Sequence, residues 1–188
     1  MAFPVVIDAC ALYPYSLRDT LLRLAEAEFF DVYWSEAILA ETRSTLIEVH
    51  GASETQADKI IGAMKGAFDG SIVPAEQIDR LIPAMTNNEK DRHVLAAAKA
   101  IGAEQIVTFN LKDFADEHTA PLGIEAIHPD DFLLNQLSLD AQVVMNVLRK
   151  QAGAFKNPPW TLDVLLGALR ASAPRFVTEI ERLISRAD

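Results

Sequence analysis

The sequence predicts a parallel α/β sandwich followed by a helical extension. Short runs rich in β-branched and aromatic residues alternate along the chain with segments in which apolar residues recur at helical spacing. This alternation is typical of a parallel sheet that is covered by helices. Beyond about residue 139 only helical patterns remain. We therefore predict one domain over residues 1–135 and a C-terminal helical extension over residues 136–188.

Short apolar runs define the strands. The first, residues 4–9, lacks polar alternation, as expected for a strand that is buried on both faces of a parallel sheet. Three further runs are predicted as strands: residues 29–33, 105–109 and 124–127. A weaker candidate covers residues 71–73. The predicted sheet thus has four or five strands.

Apolar periodicity and capping residues define the helices. Ser35 is expected to cap one helix, and Ser53 to Gln56 resemble a capping box at the start of the next. Asn87 or Asn88 is expected to open a helix that contains Asp91 and that Gly102 ends. The remaining predicted helices are residues 17–27, 76–82, a segment from Pro129, 140–151, 161–169 and 174–184.

Composition limits the possible functions. Half of the 188 residues are apolar, which is enough to form a core and excludes a wholly disordered chain. The chain has 17 Lys and Arg against 27 Asp and Glu, a net charge of −10. Taken alone, this charge argues against nucleic-acid binding, because counterion release needs a basic footprint.

The single cysteine, Cys10, excludes an internal disulfide framework and a cysteine-built zinc site. No histidine is placed by the pattern to activate it, so we interpret it as a small buried residue rather than a nucleophile. The first residues lack the pattern of a signal peptide, and no apolar run approaches the roughly 18 residues of a membrane span. We expect a cytoplasmic protein that does not enter a membrane.

Four acidic residues mark the candidate site. Asp8 directly follows the first strand, at the edge where ligands of open parallel sheets gather, and a buried carboxylate there needs a partner. Asp113 follows the strand at 105–109, Glu41 lies within a helix, and Asp91 lies in the first turn of another. Each also has an ordinary explanation, as a helix cap, a dipole-favoured acid or a solvated charge.

The order of these acids resembles the PIN-domain family of metal-dependent ribonucleases, and in particular its bacterial VapC-type toxins. The similar segments are residues 6–9 with 12–14, 35–41, 88–98 and 106–114. Each segment alone is weakly specific, whereas the four in this order are a strong signal. The resemblance implies a three-layer α/β/α PIN-like nuclease domain with a central parallel sheet of four or five strands.

The resemblance also implies an enzyme whose carboxylates converge on Mg²⁺ or Mn²⁺ and which hydrolyses RNA phosphodiester bonds. Asp8 and Asp91 match the principal ligands, and Glu41 matches a ligand or a water-orienting base. At the fourth position many relatives have an acid where this chain has Asn110. Either Asp113 supplies that carboxylate, as a second-site ligand, or Asn110 contributes there.

Polar and cationic residues beside the acids are the candidates for substrate binding. Arg43, Arg92 and Lys112 are placed to contact phosphates, and Thr108 to support a metal-bound water, with Asn110 beside it. For any one of these cations, a solvated surface charge is the better explanation.

Aromatic residues near the predicted site are candidates for stacking on unpaired bases, namely Tyr13, Tyr15 and Trp34. Core packing is the competing explanation for Trp34. His93, next to Arg92, and Arg18, near the first strand-to-helix turn, are further candidates for phosphate contacts. His93 is equally well explained as a structural histidine.

Three functions remain open at this point. The first is the endoribonuclease toxin of a toxin–antitoxin pair, with an antitoxin protein as partner and a homodimer as a further option. The second is a non-catalytic PIN-like protein-binding module. The third, a doubly wound phosphatase or receiver-like domain, is least favoured, because such domains need an acid pair after the first strand and here Ala9 and Cys10 follow Asp8.

Overall fold

A computed structural model describes residues 3–187 and contains one sheet of four parallel strands. The strands are β1 (Phe3–Ile7), β2 (Phe30–Tyr33), β3 (Gln105–Val107) and β4 (Glu125–Ile127), in the order β2-β1-β3-β4. In the central strand β1, Val5, Val6 and Ile7 are fully buried, as their unbroken apolar run predicts. The predicted parallel α/β class is confirmed, with four strands.

Helices alternate with the strands along the chain and follow the last strand. They are α1 (Ala9–Leu12), α2 (Tyr15–Glu26), α3 (Glu36–Glu48), α4 (Glu54–Ala67), α5 (Ala75–Leu81), α6 (Arg92–Ile101), α7 (Asp116–Thr119), α8 (Pro129–Leu139), α9 (Ala141–Ala154), α10 (Leu162–Leu169) and α11 (Pro174–Ala187). Short 3-10 turns cover Ile82–Ala84, Glu89–Asp91, Leu111–Phe114 and Ala120–Leu122. None of the helices within residues 3–187 has both the length and the apolar character that a membrane crossing requires.

Local capping explains where several helices begin and end. The Ser35 hydroxyl accepts the Ile38 N–H at 3.1 Å and caps α3. Ser53 and Gln56 form the predicted capping box at the start of α4. Gly102 ends α6 with φ of +65°, in the left-handed region that favours glycine.

Several predicted elements differ from the structure. Strands β1 and β3 each end two residues earlier than predicted, at Ile7 and Val107. Residues 71–73 do not form a strand: Ile72 makes only an isolated bridge to Trp34, because the turn at Gly70 and the start of α5 after Pro74 leave no room for a longer ladder. The helix with Asp91 begins later than predicted. A 3-10 turn covers Glu89–Asp91, so that Asp91 precedes the first turn of α6.

The described chain forms two compact units. One contains the chain up to Tyr13 and Phe30–Ile127, and therefore the whole sheet. The other contains Pro14–Phe29 and the chain from His128 onward, with α2 and α8 to α11. In this second unit the Thr20 hydroxyl of α2 donates to the Gln151 side chain of α9 at 2.8 Å. The domain boundary expected between residues 135 and 136 stays a prediction.

Candidate active site

Asp8 lies at the carboxyl end of β1, beside the end of β3, and is 5% exposed. Its N–H donates to the Val107 carbonyl at 3.0 Å, which extends the strand pairing by one residue. Asp8 occupies the N-cap position of α1, yet its side chain makes no capping hydrogen bond. Its Oδ2 atom instead accepts hydrogen bonds from the Thr108 hydroxyl at 2.7 Å and the Cys10 thiol at 3.1 Å. The carboxylate is thus held by Thr108, which follows β3, and by Cys10 of α1, and it does not serve as a helix cap.

Cys10 acts as a hydrogen-bonding thiol at this edge. Besides donating to Asp8, its sulfur accepts the Phe109 N–H at 3.2 Å. Burial, followed by the negative charge of Asp8, raises the pKa of the Cys10 thiol to about 12. A thiol that stays protonated is a poor nucleophile, which agrees with our interpretation. Its role in holding Asp8 was not foreseen from the sequence.

Asp91 lies within electrostatic reach of the other three predicted acids. Burial raises the pKa of Asp91, and the charges of Asp8, Asp113 and Glu41 raise it further, whereas His93 opposes them. Like charges that act on one half-buried carboxyl define a locally negative site at the carboxyl edge of the sheet. All five residues belong to the unit that contains the sheet.

Glu41 projects from α3 and pairs with His93 of α6. Glu41 Oε1 lies 3.1 Å from His93 Nε2, a contact that is an ion pair when the ring is protonated. Burial lowers the pKa of His93, but Glu41, Asp8 and Asp91 outweigh that effect and leave the pKa raised. The acidic surroundings therefore favour the protonated form of His93. The apolar residues that follow His93 in α6 gave no indication of its pairing with Glu41.

Asp113 is held by two amide side chains. The Asn110 amide donates to Asp113 Oδ2 at 2.6 Å, and the Asn110 N–H donates to the Thr108 hydroxyl at 3.0 Å. The hydrogen bond from Asn110, with a further one from Asn88, lowers the pKa of Asp113. Asn110, which occupies the fourth position, and Asp113 are thus joined by a hydrogen bond. Asn88 was predicted only as a helix opener.

The three predicted phosphate contacts have different surroundings. Arg43 pairs with Asp58, with Nε 2.6 Å from Oδ1, and also lies near Glu54. Arg92 is half-buried, and its Nε donates to the Asn87 carbonyl at 3.2 Å. Lys112 is exposed. Their roles in substrate binding stay predictions.

The acidic side chains would have to move before they could bind a metal ion together. In the described part of the chain, no three His, Cys, Asp or Glu side chains are arranged to ligate one ion. The chemistry of the donors nevertheless fits a hard divalent cation, because the converging side chains are carboxylates. The raised pKa of Asp91 indicates repulsion that a cation would relieve.

The fold and this site define the class of protein. The profile of the family described as "PIN domain" matches residues 4–122, which is more than half of the chain, so the chain belongs to the PIN-domain family. A second profile, described as "VapC50 C-terminal domain", matches residues 129–182. The resemblance stated from the four sequence segments is therefore confirmed.

A curated relative is similar over the larger part of this chain. The chain is 48% identical over 103 residues to the "Putative ribonuclease VapC50" of Mycobacterium tuberculosis (strain ATCC 25618 / H37Rv). The alignment covers 55% of this chain and 61% of the relative, so the chain matches about three fifths of that protein's length. No solved structure matches the chain significantly.

Proposed function

We propose that this protein is a metal-dependent endoribonuclease that hydrolyses RNA phosphodiester bonds, and that it is the toxin of a type II toxin–antitoxin pair. The observation that carries the proposal is that Asp8, at the carboxyl end of β1, lies with Glu41 and Asp113 close enough to Asp91 for their charges to raise its pKa. Membership of the PIN-domain family and the printed name of the curated relative support the same activity.

We further propose that Asp8, Glu41, Asp91 and Asp113 hold Mg²⁺ or Mn²⁺. Ligation by three of them requires side-chain rotation, because in the described part of the chain no three such side chains are arranged around one ion. Carboxylate oxygens are the donors that both ions favour. A bound ion would lower the pKa of a water molecule and neutralise charge that develops on the leaving oxygen.

The chain's own residues have separable roles in this proposal. Thr108 and Cys10 fix the orientation of Asp8. Such supporting hydrogen bonds orient a ligand and tune its basicity. Glu41 is 53% exposed in its side chain and is thus accessible to solvent, where it can accept a proton from an attacking water. His93 offsets part of the negative charge and holds Glu41 beside the other acids.

The net charge of the unit that contains the sheet guides our proposals for substrate and partner contacts. The unit that contains the sheet carries 17 acidic and eight basic side chains, hence a net charge of −9. Bulk attraction to RNA is therefore weak, and we propose that Arg92 and Lys112 supply local phosphate contacts. Arg43 contributes only if phosphate displaces Asp58. A basic segment of an antitoxin is the partner that this acidic unit favours; a homodimer and a cytoplasmic location stay predictions.

The test is cleavage of a structured RNA by the purified protein with Mg²⁺ or Mn²⁺, compared with the same reaction in EDTA. We expect metal-dependent cleavage that Asp8→Asn abolishes. Asp79→Asn, an exposed acid of α5, is the matched control and keeps activity. Equal cleavage by wild-type and Asp8→Asn protein would overturn the assignment of the site. Wild-type protein that binds metal but cleaves no RNA would favour the non-catalytic binding module.

A further inference from the structure

We propose that the second unit carries a separate binding surface for unpaired RNA bases. The surface combines the rings of Tyr15, Phe155 and Trp160, which we call the aromatic platform, with the neighbouring basic side chains of α9 and the following turn. The proposal extends the proposed ribonuclease function, on which it rests for the choice of RNA as ligand. It assigns substrate contacts to a part of the chain outside the acidic site.

The rings of the aromatic platform are arranged for stacking. Phe155 and Trp160 lie face to face, with centroids 3.9 Å apart and an interplanar angle of 7°. Tyr15 meets Phe155 edge-on at 5.6 Å, and the Arg18 guanidinium lies 5.4 Å from the Tyr15 ring centroid. Tyr15 is 52% exposed, and Phe155 and Trp160 are partly exposed. The platform therefore reaches the surface, unlike Trp34, which is fully buried.

A short turn between α9 and α10 holds the platform. Phe155 and Trp160 flank the four residues 156–159, whose ends are joined by a bridge between Lys156 and Pro159. The two rings are thus brought together from opposite ends of one closed turn that contains two prolines. A turn of this kind orders the rings before a ligand binds, which lowers the entropic cost of binding.

The charge around the platform differs from that of the rest of the chain. Residues 141–162 contain no Asp or Glu and carry three cations, Arg149, Lys150 and Lys156. All three are exposed, and within residues 3–187 none of them forms an ion pair. The second unit as a whole has ten acidic and nine basic side chains, net −1, against −9 for the other unit. Lys156 adjoins Phe155 in the chain, and Arg149 and Lys150 lie in the last part of α9 before it, with Glu26 of α2 lining the same pocket as Lys150.

Rings that reach the surface with a cation beside them, here Lys156 next to Phe155 and Arg18 over Tyr15, are the chemistry that binds single-stranded nucleic acid, because bases stack on rings while cations contact phosphates. An acidic protein segment would use the same cations but has no general need for stacked, flat rings. The observations therefore favour unpaired RNA over a protein partner.

The experiment measures binding rather than cleavage. Fluorescence anisotropy of a labelled 20-nucleotide oligouridylate is recorded in EDTA with the full chain carrying Asp8→Asn. In this background we expect Trp160→Leu to weaken binding at least about 5-fold, because one stacking partner is lost. Trp160→Phe keeps a ring and is expected to keep most of the affinity.

Charge variants that leave the platform untouched give an independent readout. Lys156→Gln is expected to lower the slope of log affinity against log salt by about 0.7, the value for one phosphate contact on a single strand. Lys59→Gln, which removes an exposed lysine of α4 in the other unit, is the matched control and leaves the slope unchanged. RNA is also expected to quench tryptophan fluorescence in the Asp8→Asn protein but not after Trp160→Phe, because Trp34 is buried.

Failure of this proposal is distinguishable from failure of the proposed function. Binding that is lost with Trp160→Leu supports the RNA surface even if wild-type protein cleaves nothing. Absence of oligouridylate binding, or affinity that is unchanged in both Trp160→Leu and Lys156→Gln, overturns the surface even if wild-type protein cleaves RNA. Preferential binding of a polyglutamate peptide that is insensitive to Trp160→Leu would overturn it in favour of an acidic protein partner.

Discussion

The Thr108 hydroxyl donates a 2.7 Å hydrogen bond to Oδ2 of Asp8 and so joins two positions that are 100 residues apart in the chain. Thr108 is fully buried and follows β3, and Asp8 follows the adjacent strand β1. The pairing of these strands fixes both side chains at one edge of the sheet. The orientation of the proposed ligand Asp8 therefore depends on a residue that itself bears no charge.

Replacing Thr108 with Val tests this dependence. Valine has a similar shape but removes a donor to Asp8 and an acceptor for the Asn110 N–H. We expect a loss of about 1–3 kcal/mol in the free energy of unfolding and a roughly 10- to 100-fold loss of RNA cleavage. Chemical denaturation and a cleavage assay measure the two effects. Thr178→Val, at an exposed helix position, is the control; equal effects of the two substitutions would contradict the role of Thr108.

The charge of Asp91 is predicted to lower the stability of the metal-free protein at neutral pH. Its pKa is raised in the folded state, so its contribution to stability is complete below the unfolded pKa and is lost as pH rises through the folded pKa. We therefore expect Asp91→Asn to raise Tm at pH 7 in EDTA, with a smaller effect at acidic pH. Thermal unfolding at both pH values measures this. Asp79→Asn should leave Tm nearly unchanged, and a lower Tm for Asp91→Asn would contradict the account.

Cys10 is predicted to be unreactive in the folded protein. With a pKa of about 12, the thiol is almost entirely protonated at pH 8. Labelling by a disulfide reagent in EDTA should be roughly 1,000-fold slower than in the unfolded chain, because the thiolate is the reacting species. Because Cys10 is the only cysteine, the signal has one source. Rapid stoichiometric labelling of the native protein would contradict the hydrogen-bonding role of the thiol.

Asp130 is predicted to stabilise the second unit by capping α11 from outside that helix. It is 3% exposed, and its two oxygens accept the N–H groups of Arg175 at 3.1 Å and Phe176 at 2.8 Å. Asp130→Ala leaves both donors unpaired, and we expect a loss of about 2–4 kcal/mol in unfolding free energy. The neighbouring Asp131 forms an exposed ion pair with Arg175. Asp131→Ala should cost less than about 1 kcal/mol, and equal costs would contradict the cap.

Features that depend on neighbouring residues were predictable from the sequence. The apolar runs predicted the strands, the serines at 35 and 53 predicted helix starts, and Gly102 predicted a helix end. Each depends on residues within one turn of the same element. The placement of Asp8 at a strand end follows in the same way from the run that precedes it.

Contacts between distant residues were not predictable. The pairing of Glu41 with His93 depends on how α3 and α6 are rotated against each other, and periodicity in either helix does not determine that rotation. The same holds for the contact between Thr20 of α2 and Gln151 of α9, which connects residues 131 positions apart. The 3-10 turn that contains Asp91 was missed because its short span leaves no periodic signal.

The central claim is that the acids around Asp91 form the centre of a metal-dependent ribonuclease. The most direct measurement is the single-turnover rate of RNA cleavage in Mn²⁺ by wild-type, Asp91→Asn and Asp79→Asn proteins. Asp91→Asn removes a carboxylate that is proposed to hold the metal and so to stabilise charge in the transition state. The account therefore predicts that this substitution lowers the cleavage rate at least about 100-fold. Asp79→Asn should remain close to wild type. Equal rates for all three proteins would contradict the account.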